Sequence, residues 1–450
     1  MEQKELPLDF TARMRTLLGN VEADSLCHAI CSTEPVTSIR INDAKISRES
    51  LELPFDGRVP WSGHGWYLHS RPQFTLDPLF HAGCYYVQEA SSMFTGHVLR
   101  QIVSGPVSTL DLCAAPGGKS TLAAQFLPEG SMLVANEVQR SRAQVLAENM
   151  VKWGHDNVLV SCNTPAQIGA SGLQFDVMLT DVPCSGEGMF RKDSVAIQDW
   201  STENVSMCSS RQREIMRDVW PALKPGGYLI YSTCTFNPDE DEENVSWIAR
   251  ELGATVIPVE YPSEWNIAGS YSGYSLPVCH FMPHRTKGEG FFIALLRKND
   301  GFTGQIKTGS IKEDGSCMKM VDPGYDCLLE KDRDCIIARP AAIAPQMKAV
   351  SDRLYCLVKG IEVAALKGRD MVPSHALAMS GRASELFPKI GITREQALDY
   401  LHGDVLRLDT DTKGFAILSF MQQALGFVKI TGGRANNMYP QQWRIRQNVR

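Results

Sequence analysis

From Val107 to Lys298 the chain repeats one unit: a short apolar run, a loop rich in Gly or Pro, then a helix-forming segment. The pattern predicts strands over 108–112, 132–136, 158–161, 175–179 and 228–231, with helices over 120–126, 141–153 and 212–223. Pro225, Gly226 and Gly227 stop the last of these helices. Asn237 is suited to cap a further helix and Pro238 to its first turn, while the acids from Asp239 to Glu243 favour the positive end of its dipole. That acidic run therefore needs no functional reading. Strand candidates at 255–259 and 290–296 close the unit near Lys298. Alternation of this kind builds an α/β fold on a parallel sheet.

In an open parallel sheet, ligands bind at the carboxyl ends of the strands. DLCAAPGGK, 111–119, turns from the first strand into its helix, and its two glycines let a ligand approach the backbone. It is not G-x-G-x-x-G, and GGKS lacks the upstream glycine of a P-loop, so phosphate cradling is not its role. Glu137 ends the second strand, where an acid takes ribose hydroxyls in nucleotide-binding folds. Together they imply a ribose-bearing cofactor without saying which. DVPCSGEGMF, 181–190, follows the fourth strand with Asp181 and Cys184, and Cys234 in YSTCT ends the fifth. A lone cysteine in such a place is most simply an inert, buried thiol. Two of them at the ends of two strands of one sheet call for an explanation.

A thiolate beside a nucleoside-bearing cofactor can be a redox centre or a covalent nucleophile. C5 of a pyrimidine is a poor nucleophile until something adds to C6. A cysteine that adds there makes C5 enamine-like, able to attack an electrophilic methyl group. The adduct must then lose its C5 proton and expel the thiolate. One cysteine suffices for attack, and a second is a candidate for helping release. Asp181 could hydrogen-bond the exocyclic amine and ring nitrogen of cytosine. The residues alone do not choose which thiol attacks.

The flanks are less uniform. Residues 1–105 carry helix signals at 10–18 and 21–31 and a short strand at 37–41. The aromatics between Pro60 and Gln88 suit either base stacking or core packing. The polar, Gly-rich segment 299–325 reads as a linker or long surface loop. Beyond it, 326–450 shows helix signals at 342–359 and 394–401 and strand signals at 405–408, 414–420 and 425–430. A net charge of −6 argues against nucleic acid at the level of the whole chain. Lys429, Arg434, Arg444, Arg446 and Arg450 nevertheless fall in an acid-free stretch, so a local basic face stays open. Thirteen cysteines without a C-x-x-C pair argue against a disulfide framework or a zinc ribbon and fit a reducing, cytoplasmic compartment. MEQKELPLDF has no signal-peptide pattern, and no apolar run reaches the roughly 18 residues of a membrane span.

DLCAAPGGKS, DVPCSGEGMFRKD, LKPGGYLIYSTCTFNPDEDEEN and PHRTKGEGFFIALL together resemble the NOL/NOP/Sun family of RNA cytosine-C5 methyltransferases. DPLFHAGCYYVQEASSM, HALAM and LGFVKITGGRANNMYP resemble its bacterial RsmF group, which acts on 16S, small-subunit ribosomal RNA. The resemblance covers nearly the whole chain. It implies a class I, Rossmann-like, S-adenosylmethionine-dependent methyltransferase sheet over 106–298, after an N-terminal α+β extension (1–105) that helps bind RNA. It also implies a PUA-like RNA-binding module at about 390–450, which gives the basic tail a purpose.

In this family the Thr-Cys cysteine attacks C6, which makes Cys234 the nucleophile, and the Pro-Cys cysteine, Cys184, assists product release. Asp181 would lie between cofactor and base, with Lys119 within reach of the target. Cys113, Ala114, Ala115, Pro116, Gly117, Gly118 and Lys119 would line the methionine end of the cofactor, Glu137 its ribose and Asn163 its adenine side, with Arg142 and Asp181 also among the cofactor-binding residues. Family members usually carry an acid at or beside Asn163. Cys162-Asn163-Thr164 has none, although an amide can still hydrogen-bond adenine. The expected partner is RNA, no metal is called for, and nothing requires more than a monomer. A tRNA substrate is the alternative within the family. A non-catalytic ribosome-assembly factor is the alternative outside catalysis, and it would be expected to have lost a cysteine or Asp181. Amine methylation of a base would show an Asp/Asn-Pro-Pro-aromatic loop where DVPC stands.

Overall fold

The computed structural model describes residues 4–301, 303–304 and 310–447, so Arg450 and part of the 299–325 segment lie outside the described residues. Leu223–Thr233, Phe175–Asp181, Ser108–Asp111, Met132–Asn136 and Val158–Ser161 run parallel, in that spatial order, through the middle of a nine-stranded sheet. Their central residues are buried on both faces, which is why these strands read as unbroken apolar runs. The chain lays down strands outward from Ser108–Asp111 to one side, then returns to build the other. The switch point therefore falls between Ser108–Asp111 and Phe175–Asp181, where ligands bind in open α/β sheets.

Both edges are antiparallel, so the sheet is mixed. Phe291–Lys298 pairs with Leu223–Thr233, and Ala254–Ile257 lies beyond it. At the opposite edge Cys356–Lys359 pairs with Val158–Ser161. The helix expected over 342–359 ends early: Ala344–Ser351 is helical, and the next element becomes this edge strand. Its β-propensity and the unpaired edge of Val158–Ser161 outweigh a helical continuation.

Two further expectations differ from the structure. The helix predicted over 212–223 spans Thr202–Val219 and is capped by Ser201, whose side chain accepts from Asn204 N. Pro225–Gly227 does not end it but lies inside the strand Leu223–Thr233, as a bulge where the register jumps from Phe175↔Leu223 to Val177↔Tyr228. The acidic helix also starts later, at Glu242, so Asn237 is not its N-cap. Glu240, Asp241 and Glu242 are fully buried, so service to a helix dipole does not account for that run.

The N-terminal helices Leu8–Leu18 and Asn20–Ser32 pack Phe10, Met14, Leu26 and Ile30 against Phe190, Trp200 and Phe236 of the central unit. A four-stranded sheet follows, in the order Phe55–Arg58, Gly65–Leu68, Thr37–Ile41, Tyr85–Val87. Trp61, Tyr67, Phe74 and Tyr85 are buried, so most aromatics of this region serve the core. Cys327–Asp332, Cys335–Pro340, Ile361–Lys367 and Asp370–Pro373 form another four-stranded sheet that the sequence pattern did not announce. The last sheet has five strands and carries the helix Arg394–His402, begun by a Thr393–Gln396 capping box. Leu398, Leu401, Leu418 and Tyr439 of this module share one apolar cluster with Ile39, Ile41, Leu68 and Tyr85 of the N-terminal sheet. Among the described residues no helix is long and apolar enough to cross a membrane.

Candidate active site

Asp111 ends the first parallel strand and is fully buried. Its Oδ2 accepts the Ser120 hydroxyl at 2.6 Å, while Oδ1 finds no partner among the described residues. Burial pushes this carboxyl up to about 7, against the Ser120 hydrogen bond and the charge of Lys119. The loop 112–117 then enters the helix Gly118–Phe126 through Gly117, whose φ of 117° lies in the left-handed region. The next helix, Arg140–Trp153, holds this loop: Arg142 Nη2 donates to Ala115 O at 2.9 Å and Asn149 Nδ2 to Pro116 O at 2.7 Å. Arg142 Nη1 also lies 3.3 Å from Glu137 Oε2, and Glu137 Oε1 accepts Gln139 N at 2.9 Å. The loop, Glu137 and Arg142 thus meet beyond the carboxyl ends of Ser108–Asp111 and Met132–Asn136.

Asn163 stands apart from that group. Its Nδ2 donates to Tyr355 O at 3.1 Å and its Oδ1 accepts Tyr355 N at 3.2 Å. Both ends of the amide are therefore spent on the backbone just before the edge strand Cys356–Lys359, not left open to a ligand.

Asp181 and Ser232 are register partners on adjacent parallel strands, so the loops bearing Cys184 and Cys234 leave the sheet side by side. The two Sγ atoms lie 2.9 Å apart, and Cys234 N donates to Cys184 Sγ at 3.3 Å. The hydrogen bond to Cys234 pushes the Cys184 thiol well above its ordinary value, reinforced by burial and by the charges of Cys234 and Glu240. Asp181 Oδ1 accepts the Ser232 hydroxyl at 2.8 Å, and its Oδ2 lies 2.8 Å from Lys119 Nζ. Burial works against the Lys119 ammonium, but Asp181, with Asp111 and Cys234, more than offsets it and raises the pKa. Lys119 Nζ also sits 4.9 Å over the Phe291 ring. A thiol pair, an oriented carboxylate and a cation therefore gather beside the loop 112–117.

The sequence reading passed over the buried acids beneath the thiols. Glu187 and Glu240, with Asn237 between them, hydrogen-bond the loops of both cysteines. A signal existed: consecutive acids from Asp239 to Glu243 exceed what one helix dipole needs. The close approach of the two loops has its own mark in glycine. A Cβ on Gly188 would stand 2.5 Å from Gly290 O and 2.9 Å from Cys234 O.

A model of the 16S rRNA methyltransferase RsmB/F family matches residues 105–297, which contain every site residue described so far except Tyr355. The N-terminal domain of 16S rRNA methyltransferase RsmF matches 6–90, and the RsmF PUA domain matches 387–445. The ribosomal RNA small subunit methyltransferase F of Cronobacter sakazakii is 30% identical over 449 residues, covering 92% of this chain and 91% of its own. The chain belongs to the RsmB/F family of 16S rRNA methyltransferases. The RsmF-named protein of Escherichia coli O139:H28 is 29% identical and covers 97% of this chain and 96% of its own. Among solved structures, a methyltransferase homolog protein from Pyrococcus horikoshii superimposes with a TM-score of 0.55 at 29% identity, over 64% of this chain and 94% of that one. NSun6 from the same organism, determined with SFG, gives a TM-score of 0.56 at 23% identity, over 66% and 99% of the two chains, and shares the fold. Within this RsmB/F member, Tyr355 lies between the stretches that the family models match.

Proposed function

We propose that this protein transfers the methyl group of S-adenosylmethionine to C5 of a cytosine in 16S ribosomal RNA, through a covalent bond from Cys234 to C6. The observation that carries the reading is the pair of thiols 2.9 Å apart at the ends of neighbouring strands, beside the cofactor-type loop. The residues present fit the cofactor. The unpartnered Asp111 Oδ1 is an acceptor for an ammonium group, and the Glu137 carboxylate ends the strand that meets ribose hydroxyls in folds of this kind. Cys113, Ala114, Ala115, Pro116, Gly117, Gly118 and Lys119 would hold its methionine end, with Glu137 and Arg142 on the ribose side. Bound there, the cofactor supplies an electrophilic methyl group on a positively charged sulfur. Because the Asn163 amide is engaged by Tyr355, adenine would be met here by backbone and apolar groups rather than by that side chain.

Cys234 is the attacking sulfur in this reading, and Cys184, 2.9 Å away, has a thiol held towards its protonated form by the hydrogen bond between the two cysteines and by burial. The Cys234 sulfur bonds to C6, and the electron pair of the C5–C6 double bond becomes available at C5. With the cofactor bound, that pair would take up the methyl group it supplies, and the donor sulfur would keep the electrons of the bond that breaks. Asp181 holds the amine edge of the base, and Lys119 balances the negative charge around it. A base from solvent takes the C5 proton, its bonding pair re-forms the C5–C6 double bond, and the C6–sulfur bond breaks with its pair returning to the Cys234 sulfur. Cys184 stands beside that bond to assist the release.

The direct test is bisulfite sequencing of rRNA and tRNA from a strain lacking this protein, against its parent. Loss of one protected cytosine in 16S rRNA is the expected outcome. Loss in tRNA alone would move the substrate, and no change at any cytosine would remove the methyl-transfer reading.

A further inference from the structure

Glu187 and Glu240 each follow one of the two cysteines, yet each grips the loop of the other. Glu240 Oε2 accepts Ser185 N at 3.0 Å, directly after Cys184, and Gln212 Nε2 at 2.7 Å. Gln212 Nε2 also donates to Pro183 O at 2.9 Å, directly before Cys184. Glu187 Oε2 accepts the Thr235 hydroxyl at 2.7 Å and Phe236 N at 2.8 Å, directly after Cys234. Asn237 Nδ2 bridges the two acids, 3.1 Å from Glu187 Oε1 and 2.8 Å from Glu240 Oε1, and Trp200 Nε1 donates to Glu187 Oε1 at 2.9 Å.

Both carboxylates are buried, and all of these partners donate to them. Only an ionised carboxylate is an acceptor at every lone pair, so charge and not merely volume is required at each position. A glutamine of the same shape would turn an N–H towards an N–H and leave buried donors unpaired. Burial raises the Glu240 pKa, opposed by the hydrogen bonds from Asn237 and Ser185. Simple anchoring of each loop could be done from its own side. The crossed arrangement instead ties the position of each sulfur to an acid carried by the other motif.

We propose that Glu187 and Glu240 are crossed positioning residues: Glu187, in the Cys184 loop, holds Cys234 for attack, and Glu240, behind Cys234, holds Cys184 for release. The inference rests on the roles proposed above for the two cysteines. It separates two acids that look alike by burial and would otherwise be assigned the same structural duty.

The test uses the full-length protein, S-adenosylmethionine, and small subunits or 16S rRNA from a strain lacking the protein. Covalent adduct on denaturing gels and methyl transfer in the first turnover are read together. Glu240→Gln should accumulate adduct, keep the first turnover within about threefold and lose steady-state turnover by about tenfold or more. Glu187→Gln should lose both adduct and first-turnover transfer by about tenfold or more. Should either variant fold poorly by circular dichroism, Gln212→Met and Thr235→Val remove single donors to Glu240 and Glu187 and should act in the same two directions. General loosening of the site would lower adduct in both cases, so the opposite signs are the readout. Cys184→Ala, run alongside, separates the levels. If it traps adduct while Glu240→Gln and Gln212→Met do not, the positioning inference is overturned and the cysteine roles stand. If Cys184→Ala traps no adduct, the cysteine roles fall and the inference falls with them.

Discussion

Lys119 Nζ stands 2.8 Å from Asp181 Oδ2, an ion pair that ties the cofactor-side loop to the end of the strand preceding Cys184. The pair spans the switch point, so cofactor and base would meet on either side of it. Burial alone would lower the Lys119 pKa, and Asp181 is the largest of the influences that reverse this. In Asp181→Asn that support is gone, and the Lys119 ammonium should lose its proton at lower pH. The alkaline limb of the rate profile is then expected to move to lower pH, with kcat down by about tenfold to a hundredfold. A profile measured from about pH 6 to about pH 10 checks it. An unshifted alkaline limb would separate Lys119 from the reaction.

Cys234→Ala removes the only sulfur assigned to attack. Methyl transfer should fall to background while S-adenosylmethionine affinity stays within about threefold, because the loop 112–117 is held by Arg142 and Asn149 rather than by this side chain. Cys184→Ala should instead give a denaturant-resistant RNA adduct. Ordinary turnover by the Cys234 variant, read by incorporation of labelled methyl groups, would contradict its role.

Arg142 holds the cofactor loop and Glu137 at once, through Ala115 O and Glu137 Oε2. Its guanidinium is half exposed, so the effect of losing it is modest. Arg142→Ala is expected to weaken S-adenosylmethionine binding by about tenfold in calorimetry, while kcat at saturating cofactor changes by less than about threefold. A change in kcat with unaltered cofactor affinity would assign Arg142 to the RNA side instead.

The parallel strands were legible because burial on both faces writes them as apolar runs with Gly and Pro between them. Met132–Asn136 and Val158–Ser161 have the predicted bounds. Pro225–Gly227 misled because the same residues that stop a helix also make a bulge, and only the neighbouring strand decides between the two. The fold class and the pair of thiols could be read from strand ends. The excess of acids at 239–243 hinted at buried carboxylates, but the crossing could not be read, since Glu187 and Glu240 lie 53 positions apart in sequence and their hydrogen bonds depend on how two loops meet. Tyr355 was invisible for the same reason: its partner Asn163 is 192 residues away.

Asp111 gives the protein a pH dependence of its own. The carboxyl is fully buried, one of its oxygens has no partner among the described residues, and its pKa rises to about 7, where an unfolded chain would have about 3.9. Between those values the folded protein binds the proton and the unfolded chain does not. Folding stability from this group is therefore greatest below about pH 4 and is lost as pH rises towards about 7. Asp111→Asn keeps an acceptor for the Ser120 hydroxyl and removes the buried charge. Without cofactor, its Tm should lie a few degrees above that of the parent protein at about pH 8, and the gap should narrow by more than half as pH falls to about 5. Melting curves of both proteins across that range check the sign. A gap that is constant with pH would mean that Asp111 carries its charge in the folded state throughout, held by Lys119 and Ser120.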